Sequence, residues 1–375
     1  MMASSLGVGL TYHLTRLSIG LKKKGCNVTV LSGPKEQANG LSAELAKEGI
    51  EHFTSDHIDK RRIHSFYKGK EEIRRILETK DVDIIHANGA THILKAYLAA
   101  RSFHSDKKPA TVTSIHSVPK DGFLQKPKWA VMRTTLNAGS NMILPVSNNT
   151  RKLLIKHGLN PKKTLTVYNA IDLHVFDNKV RRAKINFERE KSNKPTIVYV
   201  ANLIPRKGQE YYLMAAAEVL KNRPAKFYVI GDGPRRKYLK ELTHHLGIEE
   251  DVVFTGRVPY HEMYYVLSNI ADVCVSSSLG ELFPFYILEC MAARKPIVAT
   301  NVGGVSEAVM DGVNGYLVPP RDPNSLAKAI LKLINSPETA REMGARGRKL
   351  VEQRFSMDVI TRKLNDVYEL ALKRK

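Results

Sequence analysis

From Val28 onward, short β-branched runs alternate with amphipathic stretches of helical length. The runs are Val28-Thr29-Val30-Leu31, Asp83-Ile84-Ile85-His86, Ala110-Thr111-Val112-Thr113, Met142-Ile143-Leu144 and Thr164-Leu165-Thr166-Val167. Strand and helix repeated in this way imply a parallel sheet with helices on both faces, because parallel neighbours need a long crossover. The rhythm stops between Phe176 and Pro195. There the chain is charged and weakly apolar, as in Asp177-Asn178-Lys179-Val180-Arg181-Arg182 and Glu188-Arg189-Glu190-Lys191, the composition of a domain boundary.

The alternation resumes with Thr196-Ile197-Val198-Tyr199-Val200, Lys226-Phe227-Tyr228-Val229-Ile230, Val252-Val253-Phe254, Asp272-Val273-Cys274-Val275 and Pro296-Ile297-Val298-Ala299. Two doubly wound α/β domains follow, residues 1–175 and 176–356. A helical pattern over 357–375 closes the chain, with Ser356 as its N-cap. Ligands of such sheets bind beyond the carboxyl ends of the strands, so the two domains are expected to face a central cleft. Only six residues precede the Gly-rich turn Gly7-Val8-Gly9, fewer than a central strand needs, which leaves either a shortened strand or a truncated start.

A length of 375 residues suits two domains, each able to bury its own core. No stretch approaches the roughly 18 apolar residues of a membrane span, and the start lacks the basic and apolar regions of a secretory signal, so a cytoplasmic location is expected. Cys26, Cys274 and Cys290 lie far apart without metal-ligand spacing and read as reduced structural thiols. The formal charge of +22 is uneven, with 28 Lys and Arg against 15 Asp and Glu in residues 1–180. Such a surface suits anionic lipid, a phosphorylated substrate or simple solvation; nucleic acid is disfavoured because the cations are dispersed and no reading motif accompanies them. Residues 120–133, with Phe123, Trp129 and several Lys and Arg, read either as a contact with an anionic membrane or as an ordinary helix with a buried Trp.

The most informative stretch runs from Ser276 through Gly280, Glu281, Leu282, Phe283, Pro284, Phe285 and Tyr286 to Glu289 and Ala293. A strand passes through a Ser/Gly loop into a helix entered near Phe283, with Pro284 in its first turn. Unpaired N–H groups and the positive end of the helix dipole at such a start suit a diphosphate. Glu281 lies before the helix and Glu289 within it, which lets one carboxylate face a sugar and the other a nucleotide.

This segment resembles the E-x7-E signature of the family-4 glycosyltransferases, retaining enzymes of the GT-B fold in the glycosyl transferases group 1. The likeness extends through nearly the whole chain. Val200-Ala201-Asn202-Leu203-Ile204-Pro205-Arg206-Lys207-Gly208 looks like that family's strand-to-helix turn, and Lys207 takes the place of its diphosphate-binding lysine. Gly231-Asp232-Gly233-Pro234 matches its G-x-G-P turn, and Phe254-Thr255-Gly256-Arg257-Val258 the loop whose backbone reads the base. Val302-Gly303-Gly304-Val305-Ser306-Glu307 and Asp311-Gly312-Val313-Asn314-Gly315 continue the pattern. In the N-terminal half, Gly9 resembles a phosphate-approach glycine, His116 the active-site histidine, and Asn169-Ala170-Ile171-Asp172 the motif before the hinge.

The resemblance implies two Rossmann-like domains and a hexosyltransferase that works without a metal or other cofactor. Its donor would be a nucleotide diphosphate sugar, with uridine as the default base, and its acceptor a glycan or a lipid-linked molecule of polysaccharide or glycolipid biosynthesis. The basic N-terminal domain would allow peripheral contact with the inner face of the plasma membrane. Glu281, His116 and Lys207 take catalytic roles. The donor site comprises Gly9, Asn202, Arg206, Lys207, Gly231, Gly233, Arg257, Val258, Phe283, Pro284, Phe285, Tyr286 and Glu289. Departures accompany the likeness: Asn202 stands where the family often has arginine, and Leu282 and Arg294 where it has glycine. A weakened relative that binds nucleotide sugar, or a GT-B nucleotide-sugar epimerase, would use the same frame.

Overall fold

The computed structural model describes residues 8–34, 39–58, 63–88, 90–102, 108–118, 127–182 and 194–374. Contacts divide the chain into two units, Met1–Asn169 with Met357–Lys375, and Ala170–Ser356. The division falls ahead of residue 175. Helix Leu173–Arg182 belongs to the second unit, where Phe176 packs edge-on against Tyr264 and Arg348 grips Asp177 with both terminal nitrogens at 2.8 Å.

Unit 1 contains parallel strands β1 (Thr29–Ser32) and β2 (Glu51–Thr54), paired with each other, and a parallel set β3 (Ile84–Asn88), β4 (Ala110–Ile115) and β5 (Met142–Pro145) in that order. The sequence pattern omits β2, because Glu-His-Phe-Thr is half-exposed and lacks an apolar face. Thr164–Val167 lies beside β5 but makes a single bridge. The Leu165 and Val167 N–H groups donate to Ile143 and Pro145, and Pro145 has no N–H with which to extend the ladder.

The closing helix, Met357–Leu372, packs on helix Val8–Lys23 within this unit. Gly20 makes the approach possible, since a Cβ there would collide with the Thr361 hydroxyl. Ser356 donates its hydroxyl to the Glu352 carbonyl of the preceding helix instead of capping the next one. Trp129, on helix Pro127–Gly139, is buried with Ile115, Leu136 and Leu154, and its Nε1–H donates to the His157 carbonyl at 2.9 Å. It is therefore a core residue and not an interfacial ring; residues 119–126, including Phe123, lie outside the described part.

Unit 2 is built on six parallel strands: β6 (Thr196–Val200), β7 (Lys226–Ile230), β8 (Val252–Gly256), β9 (Val273–Ser276), β10 (Ile297–Thr300) and β11 (Gly315–Val318). Their order is β11-β10-β9-β6-β7-β8. The chain winds outward from β6 to β8, crosses back to β9, and winds the other way to β11. Strand order thus reverses between β6 and β9, the place where the loops leaving two neighbouring strands diverge and open a ligand crevice. Beneath this point Tyr212 packs tilted against Tyr199 and edge-on against Phe227, in a core made mostly of aliphatic side chains.

Candidate active site

In unit 2 the loops after β6 and β9 meet at the strand-order reversal. The loop after β6 tightens into a single 3-10 turn, Pro205–Lys207, where proline opens the turn with its φ already set. That turn is tied to the other loop by its backbone: the Leu279 N–H donates to the Arg206 carbonyl at 2.8 Å, and Ser277 Oγ donates to the Gly208 carbonyl at 2.8 Å. From beneath, the Tyr199 hydroxyl donates to the Lys207 carbonyl at 2.5 Å.

Fixing both backbones brings two side chains together that lie 74 positions apart. Lys207 Nζ donates to Glu281 Oε1 at 2.5 Å, and Ser278 Oγ donates to the same oxygen at 2.8 Å. Arg206 Nη1 approaches Glu281 Oε2 at 3.5 Å and donates to the Gly280 carbonyl at 2.7 Å. Glu281 is buried, Lys207 partly buried and Arg206 exposed. The loop after β10 closes the arrangement from the far side. Gly303 has φ +56, and a Cβ there would overlap the Glu281 carbonyl oxygen, so no other residue allows this approach.

The following helix is Phe285–Ala292, two residues later than the sequence suggests, with Pro284 as an extended N-cap residue. Phe283 is buried against Phe355 and contributes to the core, leaving its backbone alone for any ligand. The Tyr286 hydroxyl donates to the Val198 carbonyl at 2.8 Å, pinning the helix to β6, while Phe285 is partly buried. Glu289 is buried on this helix, and burial pushes its carboxyl above the usual carboxylate range. The Tyr260 hydroxyl, donating to Glu289 Oε1 at 2.5 Å, opposes that shift.

The remaining donor-site residues follow the same carboxyl edge. Asn202 is exposed after β6, Gly231 and Gly233 follow β7, and exposed Arg257 and partly buried Val258 follow β8. Leu282 is partly buried beside Glu281. Arg294, standing where the resemblance expects glycine, has φ +58, a left-handed conformation that strains a side-chain-bearing residue. Among the described residues, no group of three or more His, Cys, Asp or Glu side chains converges as a metal site.

Unit 1 assembles a different set of groups. His116 follows β4 and places Nε2 3.2 Å from Asn88 Oδ1 at the end of β3. Its ring stands edge-on to that of His13 at 6.0 Å. Burial, and then the neighbouring His13, depress its pKa to about 3, with the Asn169 amide acting in the opposite direction. Behind it, His86 is fully enclosed between the Tyr368 hydroxyl on Nδ1 and Ser114 Oγ on Nε2, each at 2.7 Å, and burial lowers it to about 3 as well. Gly9 is the second residue of helix Val8–Lys23, not a turn residue, and Gly7 lies outside the described part. Ser278, Tyr260, Asn88 and His13 escape the sequence reading, since isolated polar residues carry no spacing signal.

Two family descriptions match the chain: "Glycosyltransferase Family 4" over residues 8–175 and "Glycosyl transferases group 1" over 180–350. An uncharacterized glycosyltransferase of Methanocaldococcus jannaschii is 28% identical, the match covering 97% of this chain and 95% of that protein. A GDP-mannose-dependent alpha-(1-6)-phosphatidylinositol monomannoside mannosyltransferase of Mycobacterium tuberculosis is 26% identical over 78% of this chain and 77% of its own. Among solved structures, Anabaena HepE in complex with UDP superposes with a TM-score of 0.78 at 19% identity, covering 97% of this chain and 98% of that one, a likeness of fold.

Proposed function

The chain belongs to the group 1 glycosyltransferases, and on that premise we propose that it transfers a hexose-type sugar from a UDP donor to a glycan or lipid-linked acceptor, with retention at the anomeric carbon and without a metal ion. Breaking the donor's glycosidic bond leaves negative charge on the β-phosphate and positive charge on the sugar. Catalysis then requires fixed cations at one end and oriented polar groups at the other. The observation that carries this reading is the Lys207–Glu281 pair at the strand-order reversal of unit 2, with Arg206 beside it.

In this reading Lys207 and Arg206 take the diphosphate in place of a metal ion. Backbone N–H groups opening helix Phe285–Ala292 add to that charge, Glu281 orients the sugar, Glu289 holds the ribose, and His116 serves as the active-site histidine. The diphosphate competes with Glu281 for the Lys207 ammonium, so donor binding frees the carboxylate at the moment the sugar arrives. Similar proteins include a GDP-mannose-dependent enzyme and a structure in complex with UDP, which makes the base the first quantity to measure.

A panel of UDP- and GDP-hexoses, incubated with the protein and acceptor mixtures with and without EDTA, tests the proposal. UDP-hexose consumption insensitive to EDTA, with the donor's anomer retained in the product, is the expected result. An inverted product removes retention, loss of turnover in EDTA removes metal independence, and epimerised or unchanged donor favours the epimerase or the binder.

A lipid-linked acceptor and peripheral membrane contact draw support from charge. Between Asp121 and Asp172 the sequence has no Asp or Glu but eight Lys and Arg. Lys128, Lys152 and Lys156 are exposed there, as are Val131 and Leu153. Cations beside exposed aliphatic groups suit an anionic bilayer surface. Sedimentation with vesicles of phosphatidylglycerol at low salt, reversed by salt, is expected; no sedimentation defeats this part alone. No helix among the described residues is long and apolar enough to cross a membrane.

A further inference from the structure

We infer that Tyr260 is a positioning residue for nucleotide recognition: its hydroxyl fixes one carboxylate oxygen of Glu289 so that the other is presented to the ribose hydroxyls of the donor. This rests on the reading of Glu289 as the ribose acceptor and assigns a second residue to that subsite.

The argument begins with burial. A carboxylate enclosed as Glu289 is must be compensated by hydrogen bonds or give up its charge. Among the described residues the Tyr260 hydroxyl is its single side-chain donor, and it engages Oε1. An ionised carboxylate only accepts, and two vicinal hydroxyls offer two donors, so the free oxygen matches a ribose only while the group stays ionised. A protonated Glu289 would donate in place of accepting and would lose that match. The Tyr260 hydroxyl favours the ionised form, against the burial that disfavours it.

The tyrosine is also held still. It opens helix Tyr260–Tyr265 directly after the Arg257-Val258-Pro259 loop, and its ring packs edge-on against Tyr264 at 5.3 Å. Tyr264 in turn packs against Phe176 at 4.9 Å. The hydroxyl therefore reaches Glu289 from the β8 side of the strand-order reversal, while the helix bearing Glu289 leaves from the β9 side. Like the Lys207–Glu281 contact, this bond crosses the crevice floor, but it acts on the nucleoside end of the ligand.

The test is calorimetric titration of the full chain, its Tyr260→Phe and Glu289→Gln variants and the double variant. The probes are UDP and GDP with their 2′-deoxy and 3′-deoxy counterparts. The wild type is expected to prefer a ribonucleotide over its deoxy forms by about tenfold, one charge-assisted hydrogen bond. Tyr260→Phe, which keeps the ring stack, is expected to weaken ribonucleotide binding about tenfold and leave deoxynucleotide binding unchanged, raising donor KM with kcat nearly constant. In the Glu289→Gln background the same substitution should add nothing. Discrimination retained in Tyr260→Phe overturns the role of Tyr260. A wild type that does not discriminate overturns the ribose role of Glu289 itself, and failure of both diphosphates to bind overturns the donor site together with this inference.

Discussion

Around their candidate sites, the two units place ionisable groups by opposite means. Unit 2 sets charged side chains at the rim of its sheet and answers each one: Glu281 with Lys207 and Ser278, Glu289 with Tyr260. Unit 1 buries imidazoles and leaves them neutral, with His86 held by two hydroxyls and His116 beside an amide and another histidine. The first arrangement stores charge where an ionic ligand can redistribute it. The second supplies polar groups that carry no charge at neutral pH, suited to contacts with hydroxyls. Acid should therefore act in opposite directions on His86 of unit 1 and Glu289 of unit 2.

The strongest challenge to this contrast is removal of the stored charge. Lys207→Ala is expected to lower kcat/KM by about 10²- to 10³-fold, the scale of losing one fixed group that stabilises developing charge. Steady-state transfer with circular dichroism as a folding control measures it, and wild-type turnover in a folded variant would show that the pair has no part in the chemistry.

Next in size is the backbone that fixes Glu281. Gly303→Ala introduces a methyl group where the Glu281 carbonyl already lies, at a φ that L-residues avoid. A destabilisation of about 3 kcal/mol is expected in urea unfolding, because neither backbone can retreat without breaking the loop contacts. A variant as stable as the wild type would mean that the two loops are not locked together.

The titration contrast comes third. The folded-state pKa of His86 lies below its unfolded value, so the unfolded chain takes up the proton first and stability falls as the pH drops from about 6.5 toward 3. By pH 5 the loss from this one residue is about 2 kcal/mol, at roughly 1.4 kcal/mol per pH unit. Glu289 has the reverse sign: with its pKa raised, acidification through that range favours its folded, protonated form. Denaturation curves at pH 7 and pH 5 should thus show the acid loss in the transition of unit 1, diminished in a His86→Asn variant. Equal acid sensitivity of both units would remove the contrast.

The smallest effect concerns Arg294. Glycine there should relieve left-handed strain and stabilise unit 2 by about 1 kcal/mol in thermal unfolding, since the side chain is exposed and little packing is lost. A destabilised Arg294→Gly variant would show that the arginine makes compensating contacts.

Much of the fold was legible beforehand. The runs that became β1, β3 to β5 and β6 to β10 are β-branched and bounded by helical patterns, and buried parallel strands write themselves in that way. Two strands do not: β2 is half-exposed and polar, and β11 begins at a glycine after a turn. Thr164–Val167 has strand composition, yet its neighbour ends in proline and no ladder forms. Trp129 illustrates a different limit, since basic and aromatic residues in one segment do not reveal which of them faces inward.

By itself the sequence determined the α/β class, the family, and the types of residue available for the chemistry, because hydrophobic period and motif spacing are local properties of the chain. Only the tertiary structure decided which of them meet. Lys207 reaches Glu281 because strand order reverses between β6 and β9, and Tyr260 reaches Glu289 because the loop after β8 comes back over the same edge. Those encounters depend on the order in which crossovers lay strands side by side, and on glycines that let one backbone press against another. Neither leaves a period in the text of the chain.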